Sequence, residues 1–245
     1  MQILVTGGSG TLGRRLLPAL GRAGLEAAAP SHREMDVTDP GAVERVLGEL
    51  FPAVVIHCAA VVRSRGANDP GAWAITSRVN VFGTGVVARA CARAGTRLVY
   101  VSTDFVFDGS KPGGLYREDD LPSPIGPYAL SKLAGESLAL ECPRALVVRT
   151  SFCADEGWPY PRAYVDRFTS KERASVVAVK LVRAATSDLV GTLHLGGPRR
   201  SYLDLARTLS PDVEPATLES SPPGHPVPID TSLDTTRWRG RFFDS

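Results

Sequence analysis

The residues best suited to chemistry lie between Ser102 and Lys132. Tyr128 and Lys132 are four residues apart, so on a helix their side chains lie on the same face, one turn apart. A free tyrosine has a pKa of about 10, and a lysine ammonium about 4 Å away could favour the phenolate by up to ~4 kcal/mol at an effective dielectric constant of about 20. Such a pair can give a proton to a ketone oxygen while a hydride reaches the carbon. The alternative is a core tyrosine beside a surface lysine, which this spacing produces in many helices.

A predicted buried strand leads to the partners of that pair. The apolar run Val99-Tyr100-Val101 is typical of such a strand. Its carboxyl end carries Ser102, Thr103 and Asp104, and in open parallel sheets ligands bind outside the carboxyl ends of the strands. We therefore expect these three residues to lie where a ligand binds.

A glycine-rich turn near the amino terminus predicts a cofactor site. The apolar run Ile3-Leu4-Val5 leads into Thr6-Gly7-Gly8-Ser9-Gly10-Thr11-Leu12-Gly13, and a helical pattern follows at once. Glycines suit a dinucleotide pyrophosphate, which must approach backbone N–H groups at a helix N-terminus without a Cβ in the way. A flexible loop with no ligand is the alternative. The turn residues expected to bind the cofactor are Gly7, Gly10, Thr11, Leu12 and Gly13.

The end of the predicted second strand indicates which dinucleotide binds. The strand leads into Ser31-His32-Arg33, with no carboxylate among them. An NAD enzyme usually has an acidic residue here for the ribose 2′-hydroxyl, whereas the 2′-phosphate of NADP requires positive charge. This favours NADP(H), with Arg33 as the bidentate candidate and Ser31 and Arg14 as helpers, although Arg33 could also be a solvated loop cation. Asp36 could bind the adenine amino group or serve as a second capping acid before the next helix.

Strand and helix patterns alternate along the chain with short connections. Helical patterns cover residues 12–20, 40–50, 72–94, 128–140 and 202–209. Strand patterns cover residues 3–5, 25–29, 53–57, 97–102, 145–149 and a stretch near 191–196. This alternation predicts an α/β protein with a Rossmann-type, doubly wound parallel sheet. We expect residues 1–151 to form the dinucleotide-binding domain and residues 152–245 a small substrate-side lobe whose strand near 191–196 returns to the sheet.

Composition excludes several classes of protein. The chain has 245 residues, 43% of them hydrophobic, and a formal net charge of +2, which predicts an ordinary globular protein without a nucleic-acid or membrane surface. The apolar run at residues 53–62 is too short to span a bilayer, and no signal peptide is expected. The four cysteines have no paired spacing and predict free thiols in a reducing cytoplasm. His32, His194 and His225 are isolated, so no metal site is expected.

Together these motifs resemble the extended short-chain dehydrogenase/reductases, and among them the dTDP-4-dehydrorhamnose reductases and their sugar-nucleotide relatives. The resemblance covers roughly residues 1–151. Besides the glycine turn it rests on Met35-Asp36-Val37-Thr38-Asp39, His57-Cys58-Ala59-Ala60, Asn80-Val81-Phe82-Gly83-Thr84, Ser102-Thr103-Asp104-Phe105-Val106-Phe107-Asp108-Gly109 and Tyr128-Ala129-Leu130-Ser131-Lys132.

The resemblance assigns roles to these residues. It implies that Thr103 hydrogen-bonds the substrate carbonyl, that Tyr128 is the general acid, and that Lys132 holds the nicotinamide ribose and tunes Tyr128. It also implies a structural role for Asn80, which ties its helix to the sheet. For His57 a structural or cofactor-lining role is favoured over a catalytic one. The remaining residues expected at the cofactor are Val37, Ala59, Ala60 and Ser102.

After Arg149 the resemblance is weaker, and the differences concern the substrate. Phe152 stands where the reductases usually have Trp, and only residues 153–173 replace a longer helical insertion. Phe152, Trp158 and Tyr160 could stack on a base or sugar or pack the small lobe, and we expect Thr103, Asp104, Phe152 and Trp158 at the substrate. Residues 226–235 resemble the closing segment of the family.

The sequence therefore predicts an NADPH-dependent keto reductase that acts on a nucleotide-activated 4-keto-6-deoxy sugar. The alternatives are a ketoreductase of another small metabolite and a non-catalytic NADP-binding regulatory subunit. An intact set of Thr103, Tyr128 and Lys132 argues against the binding-only alternative. A homodimer is compatible with these expectations.

Overall fold

The computed structural model describes residues 1–62, 70–220 and 227–242. His225 and Pro226 lie outside the described residues. The strands, in chain order, are β1 (Gln2–Thr6), β2 (Glu26–Ala28), β3 (Val54–His57), β4 (Arg97–Thr103), β5 (Leu146–Thr150), β6 (Phe152–Cys153), β7 (Arg162–Tyr164), β8 (Phe168–Thr169), β9 (Glu172–Arg173), β10 (Gly191–Leu195), β11 (Arg200–Ser201) and β12 (Glu214–Ala216). The helices are α1 (Gly13–Arg22), α2 (Pro40–Leu50), α3 (Pro70–Thr76), α4 (Thr84–Ala94), α5 (Pro127–Leu140), α6 (Ala174–Thr186), α7 (Tyr202–Arg207) and α8 (Thr236–Phe242). Within the described ranges, none of the helices is long and apolar enough to cross a bilayer.

A parallel sheet of six strands forms the centre of the molecule, in the order β10-β5-β4-β3-β1-β2. This confirms the predicted Rossmann-type sheet. All residues of β3, β4 and β5 are buried, as expected for parallel strands covered on both faces. The strand order reverses between β1, which pairs with β2, and β3 on its other side. In open α/β sheets such a reversal leaves a crevice at the carboxyl ends of the strands.

Helices cover both faces of this sheet. Helices α1, α6 and α8 pack on one face through side chains that include Leu16, Leu181 and Trp238. Helices α2, α4 and α5 pack on the other, where Val43 and Val87 are buried. The first residue of α2 follows Asp39, whose carboxylate accepts hydrogen bonds from the backbone of Gly41 and Ala42. Asp39 followed by Pro40 is the typical pattern of a helix N-cap and first turn, and Asp39 is the N-cap here.

The helix expected at residues 72–94 is interrupted by a π-helical segment. Residues Ser77–Gly83 form this segment between α3 and α4. It contains Asn80, whose side-chain amide bonds the backbone of Val61 in both directions, at 2.8 and 3.0 Å, and donates to Ser131 Oγ at 2.9 Å. The π-helical geometry therefore places a buried amide between the end of β3 and α5, where Asn80 ties these elements together.

Helix α6 was not predicted from the sequence. Its run of valines favours strand as much as helix, because branching at Cβ restricts χ1. In the structure Val177, Leu181 and Ala185 are buried and recur at helical spacing, so burial against the sheet decides the conformation. After β5, the short strands pair as β6 with β9, β7 with β12 and β8 with β11, and β10 joins the edge of the central sheet.

His57 is the last residue of β3. Its contacts show a neutral ring with a structural role. Its Nδ1 lies 2.6 Å from Thr6 Oγ1 and its Nε2 3.1 Å from Thr84 Oγ1. Because the Thr84 hydroxyl donates to the Asn80 carbonyl at 2.7 Å, it accepts from Nε2–H, and Nδ1 accepts from Thr6. Burial, together with the charge of Lys132, lowers the pKa of His57 to about 3.

We expect this buried ring to make the protein sensitive to acid. The pKa falls from 6.5 to about 3 on folding, so the unfolded chain binds more protons between these pH values and stability is lost as the pH falls through this window. For His57 alone the loss between pH 7.5 and pH 5 is about 2 kcal/mol. In urea denaturation, His57→Asn should reduce the difference in unfolding free energy between these pH values by about this amount.

The exposed His32 offers a matched control. His32→Asn also removes one imidazole and should leave that difference close to the wild-type value. A His57→Asn protein with the wild-type dependence on pH would contradict the neutral assignment.

Candidate active site

The glycine turn lies at the carboxyl end of β1 and leaves no room for side chains. Gly7 has φ +68°, and a Cβ there would lie 2.7 Å from the backbone nitrogen of Ala59. A Cβ on Gly13 would lie 2.4 Å from the Gly7 carbonyl oxygen. The turn is closed by a 3.0 Å hydrogen bond from the Gly10 N–H to that oxygen. Glycine is therefore required where β1, the start of α1 and the end of β3 meet.

The start of α1 is suited to an anion. Its N-cap residue Leu12 makes no side-chain cap, and its first turn contains no acidic residue. The Leu12 side chain packs in the main core, whereas Thr11 is exposed. An α-helix leaves its first N–H groups without intrahelical partners and has a positive N-terminus, so this end can bind a phosphate.

The segment after β2 contains the residues expected to bind the adenosine half of the cofactor. Arg33 is exposed and Val37 is buried, and the backbone N–H of Ser31 donates to Glu34 Oε2 at 2.7 Å. Asp36 Oδ1 accepts from the N–H and the hydroxyl of Thr38 at 2.8 and 2.9 Å. Asp36 thus holds a turn before α2, and its Oδ2 lies 3.8 Å from His32 Nε2.

Two further expected cofactor residues follow β3. Ala59 and Ala60 are half-buried, and the Ala59 N–H donates to Thr6 Oγ1 at 3.2 Å. This bond fixes the segment beside the glycine turn.

Thr103 and Tyr128 come together at the carboxyl end of β4. Thr103 is 6% exposed, and Tyr128, in the first turn of α5, is half-buried. Burial raises the pKa of Tyr128 to about 12, and the negative charge of Asp104 contributes to the rise, whereas a hydrogen bond with the Thr103 side chain lowers it. The phenol therefore keeps its proton at neutral pH and is suited to act as an acid.

Lys132 lies deep beneath this site. It is 2% exposed, and its Nζ lies 4.0 Å from the centroid of the Tyr100 ring. Burial lowers the pKa of Lys132 to about 7, against the opposing effect of Cys58 and Glu136. The tuning of Tyr128 by Lys132 stays a prediction, because the contacts of this amine run to Tyr100, Cys58 and Glu136. Helical spacing places both residues on one face, but burial favours the neutral form of each.

Asp104 has a different role from the expected contact with substrate. It is 1% exposed. Its Oδ1 accepts from the Thr103 hydroxyl at 3.2 Å, and its Oδ2 accepts from Thr231 Oγ1 at 2.7 Å. Thr103 Oγ1 in turn accepts from the N–H of Phe105 at 3.2 Å. Asp104 thus orients Thr103 and holds the closing segment, which contains Thr231, against the end of β4.

Ser102 is also turned inward. Its hydroxyl donates to Glu136 Oε1 at 2.5 Å, and Glu136 forms an ion pair with Arg149 at 2.8 Å. Glu136 was not predicted as a site residue, and Arg149 was named only where the family resemblance weakens. A signal for Arg149 was a charged residue within an apolar strand, and for Glu136 its position one turn after Lys132 on the same helix face.

A cavity of about 670 Å³ lies between Phe105 and residues that follow β5. Aromatic and basic side chains line it, among them Trp158, Tyr202, Arg167 and Lys171. Trp158 and Tyr202 meet edge to face at 6.2 Å, and the Arg167 guanidinium lies 4.4 Å from the Tyr202 ring centroid. This volume and lining suit a small organic anion with an aromatic part.

The expected aromatic residues separate in the structure. Trp158 and Tyr160 line this cavity and lie 6.0 Å apart. Phe152 packs against the main core instead and is not among the lining residues. The interpretation of Phe152 as a packing residue is therefore the better one.

The sequence matches a known protein family. The model of the RmlD substrate binding domain matches residues 1–188. The chain belongs to this family.

Two curated relatives show what this RmlD-family chain resembles. It is 43% identical over 155 residues to the dTDP-4-dehydrorhamnose reductase of Mycobacterium tuberculosis, which covers 62% of this chain and 50% of that protein. It is 37% identical over 149 residues to methionine adenosyltransferase 2 subunit beta of Pongo abelii, and this match covers 57% of this chain and 43% of that protein. The chain thus matches about half the length of these relatives.

A solved structure resembles the RmlD-family chain over nearly its whole length. The dTDP-4-dehydrorhamnose reductase of Bacillus anthracis, in complex with NADP, has a TM-score of 0.87 and 25% identity, and the match covers 99% of this chain and 93% of that one. This agrees with the Rossmann-type sheet and with the expected family resemblance.

We expect the Asp104–Thr231 hydrogen bond to stabilise the site. Thr231→Val removes the hydroxyl but keeps the shape and leaves a buried carboxylate oxygen without its donor, which should lower the unfolding free energy by about 1–3 kcal/mol in urea denaturation. Thr231→Ser keeps the hydroxyl and should recover most of this loss. Equal stability of the two variants would show that the hydroxyl contributes nothing.

Proposed function

We propose that the protein is an NADPH-dependent reductase of a keto group on a nucleotide-activated 4-keto-6-deoxy sugar. The observation that carries the proposal is the pairing of Thr103 with Tyr128 at the carboxyl end of β4, on the same sheet edge as the glycine turn. The named reductases among the relatives support it.

The chain offers a consistent set of groups for the dinucleotide. The uncapped start of α1 suits the pyrophosphate, Ala59 and Ala60 lie beside it, and Arg33 is exposed for a 2′-phosphate. Asp36 is the candidate for the adenine amino group. Ser31 lies two residues before Arg33 and can reach the same phosphate by exchanging its contacts with Glu34.

The bound nicotinamide would supply the hydride. Tyr128 holds its proton at neutral pH, because its pKa is raised to about 12, and releases it to an oxygen that gains negative charge. Thr103 can turn its hydroxyl from Asp104 to that oxygen and donate a hydrogen bond there. Donors aimed at developing charge in a site that excludes water are the main source of catalysis in such reactions.

The cavity beside Phe105 is the proposed site for the nucleotide part of the substrate. Trp158 and Tyr160 offer ring faces for a base. Arg167 and Lys171 offer positive charge for a diphosphate. A ketoreductase of another small metabolite would use the same catalytic residues but would not need both features.

A second candidate is an NADP-binding subunit without turnover. The 37% identity to methionine adenosyltransferase 2 subunit beta favours it. A chain of this kind would bind the dinucleotide but would not reduce a keto sugar, so a turnover assay separates the two candidates.

We further propose a cytoplasmic location and a homodimer. The described cysteines are all free, which suits a reducing compartment. Exposed apolar side chains at Trp73, Ile75 and Phe82 are compatible with a subunit contact.

We expect NADPH oxidation, followed by absorbance, when the protein meets a dTDP-linked 4-keto-6-deoxy sugar. Tyr128→Phe deletes only the proton donor and should lower kcat by about 10²-fold or more, while the NADPH Kd changes less than about twofold. A Tyr128→Phe protein with the wild-type rate would refute the assigned role. NADPH binding without turnover of any keto sugar would favour the subunit.

We also expect tighter binding of NADPH than of NADH in fluorescence titrations. A charge-assisted contact of Arg33 with the 2′-phosphate should favour NADPH about tenfold, and Arg33→Ala should remove this preference. Arg22 lies at the C-terminal end of α1, away from the glycine turn. Arg22→Ala is the matched control and should leave the preference for NADPH intact. Equal wild-type affinities would remove the assignment of Arg33.

A further inference from the structure

Helix α5 carries three polar residues at intervals of one turn on one face. Tyr128 and Lys132 belong to the proposed site, and Glu136 follows four residues later. Glu136 is 3% exposed. A carboxylate is almost never buried to this degree unless it is paired, so its partners indicate its role.

The partners of Glu136 lie on two neighbouring strands. Arg149, on β5, donates to the carboxylate through Nε at 3.1 and 3.2 Å and through Nη2 at 2.8 Å. Ser102, on β4, donates its hydroxyl to Oε1 at 2.5 Å. Ser102 and Arg149 are direct neighbours in the strand register, so one carboxylate joins α5 to both strands.

This ion pair connects two elements of the proposed site. A buried salt bridge is weak evidence for stability, because apolar residues of similar volume often serve the fold as well. Here the Ser102 hydroxyl belongs to the residue directly before Thr103. The carboxylate therefore connects the helix that carries Tyr128 and Lys132 to the strand end that carries Thr103.

The contact between α5 and β4 is close enough for this connection to matter. The Tyr100 hydroxyl donates to the Lys132 carbonyl at 3.3 Å. A Cβ on Gly135 would lie 2.3 Å from the Tyr100 hydroxyl oxygen. The helix therefore lies directly on the strand, and a small shift of α5 would change the distance between Tyr128 and Thr103.

We propose that Glu136, held by Arg149, is a positioning residue that fixes α5 to the end of β4 and so sets the geometry between Tyr128 and Thr103. The proposal rests on the proposed reductase function. Glu136 does not touch the reacting atoms in this arrangement. It acts through Ser102 and through the helix.

The charge of Glu136 also acts on the amine one turn away. Glu136 and Cys58 raise the pKa of Lys132 against the larger effect of burial. The groups that face this amine are Glu136 on α5, His57 and Cys58 at the end of β3, and Tyr100 on β4. Loss of the Glu136 charge would lower the pKa of Lys132, so less of the amine would be protonated at neutral pH.

Three variants separate positioning from stability. Glu136→Gln removes the charge. Ser102→Ala keeps the ion pair and removes only its link to β4. The double variant Glu136→Leu with Arg149→Met replaces the pair by apolar groups and keeps the protein foldable when the single charge change does not. Glu141→Gln, at the exposed end of α5, is the matched control.

The readouts are kcat, KM and the NADPH Kd. We expect Ser102→Ala and the double variant to fold, to bind NADPH within about threefold of wild type, and to lose at least about tenfold in kcat. Glu141→Gln should behave as wild type. A folded double variant with the wild-type kcat, or a loss confined to KM, would overturn the proposal.

A second readout needs no turnover. The chain has four lysines, so NMR titration of protein labelled at lysine Cε, assigned with Lys132→Arg, follows the Lys132 amine directly. Its midpoint should lie near pH 7 in the wild type and about one pH unit lower in Glu136→Gln. The Glu141→Gln midpoint should not move.

The two readouts distinguish the two proposals. A shifted amine in a protein without any keto-reductase turnover would count against the proposed function alone. An unshifted amine together with a normal kcat in the folded variants would count against the role of Glu136 alone.

Discussion

The parallel direction of the six central strands is the constraint on which the site depends. Parallel strands place all their carboxyl ends on one edge of the sheet. The glycine turn after β1, Ala59 after β3 and Thr103 at the end of β4 therefore lie along one edge, although they are far apart in the sequence. The reversal of strand order between β1 and β3 opens the crevice there, and helix α5 brings Tyr128 to the same edge.

Burial at this edge determines the protonation of the side chains. It lowers the pKa of His57 to about 3 and that of Lys132 to about 7, and it raises that of Tyr128 to about 12. Each shift favours the neutral form, as desolvation requires. Glu136 and Arg149 form an ion pair at 2.8 Å beside these groups. The site thus combines the neutral phenol of Tyr128, a lysine amine whose pKa is near neutrality, and a buried ion pair.

Local sequence signals predicted the parts of the fold that depend on neighbouring residues. The glycine turn, the Asp39 cap and the strand that ends at Thr103 follow from residues a few positions apart, and the structure has them. Helix α6 was missed because its valines favour strand and helix alike, and only packing against the sheet selects the helix. The π-helical segment around Asn80 has no distinct pattern.

The contacts that the sequence could not predict join distant residues. Asp104 meets Thr231, 127 positions away, so its role in orienting Thr103 is invisible in a local motif. The spacing of Tyr128 and Lys132 predicted a shared helix face but not the contact of the amine with the Tyr100 ring. Phe152 and Trp158 could not be distinguished from the sequence. In the structure Phe152 packs against the main core and Trp158 lines the cavity.

The proposed reaction requires that a nicotinamide held by the glycine turn lies beside the Tyr128 phenol. A crystal structure of the protein soaked with NADPH would locate both groups. We expect the pyrophosphate at the start of α1 and nicotinamide C4 on the side of the crevice where Tyr128 and Thr103 meet, with room for a carbonyl at about 3–3.5 Å from the reacting groups. A phenol that faces away from the nicotinamide, or is separated from it by packed side chains, would rule the reaction out.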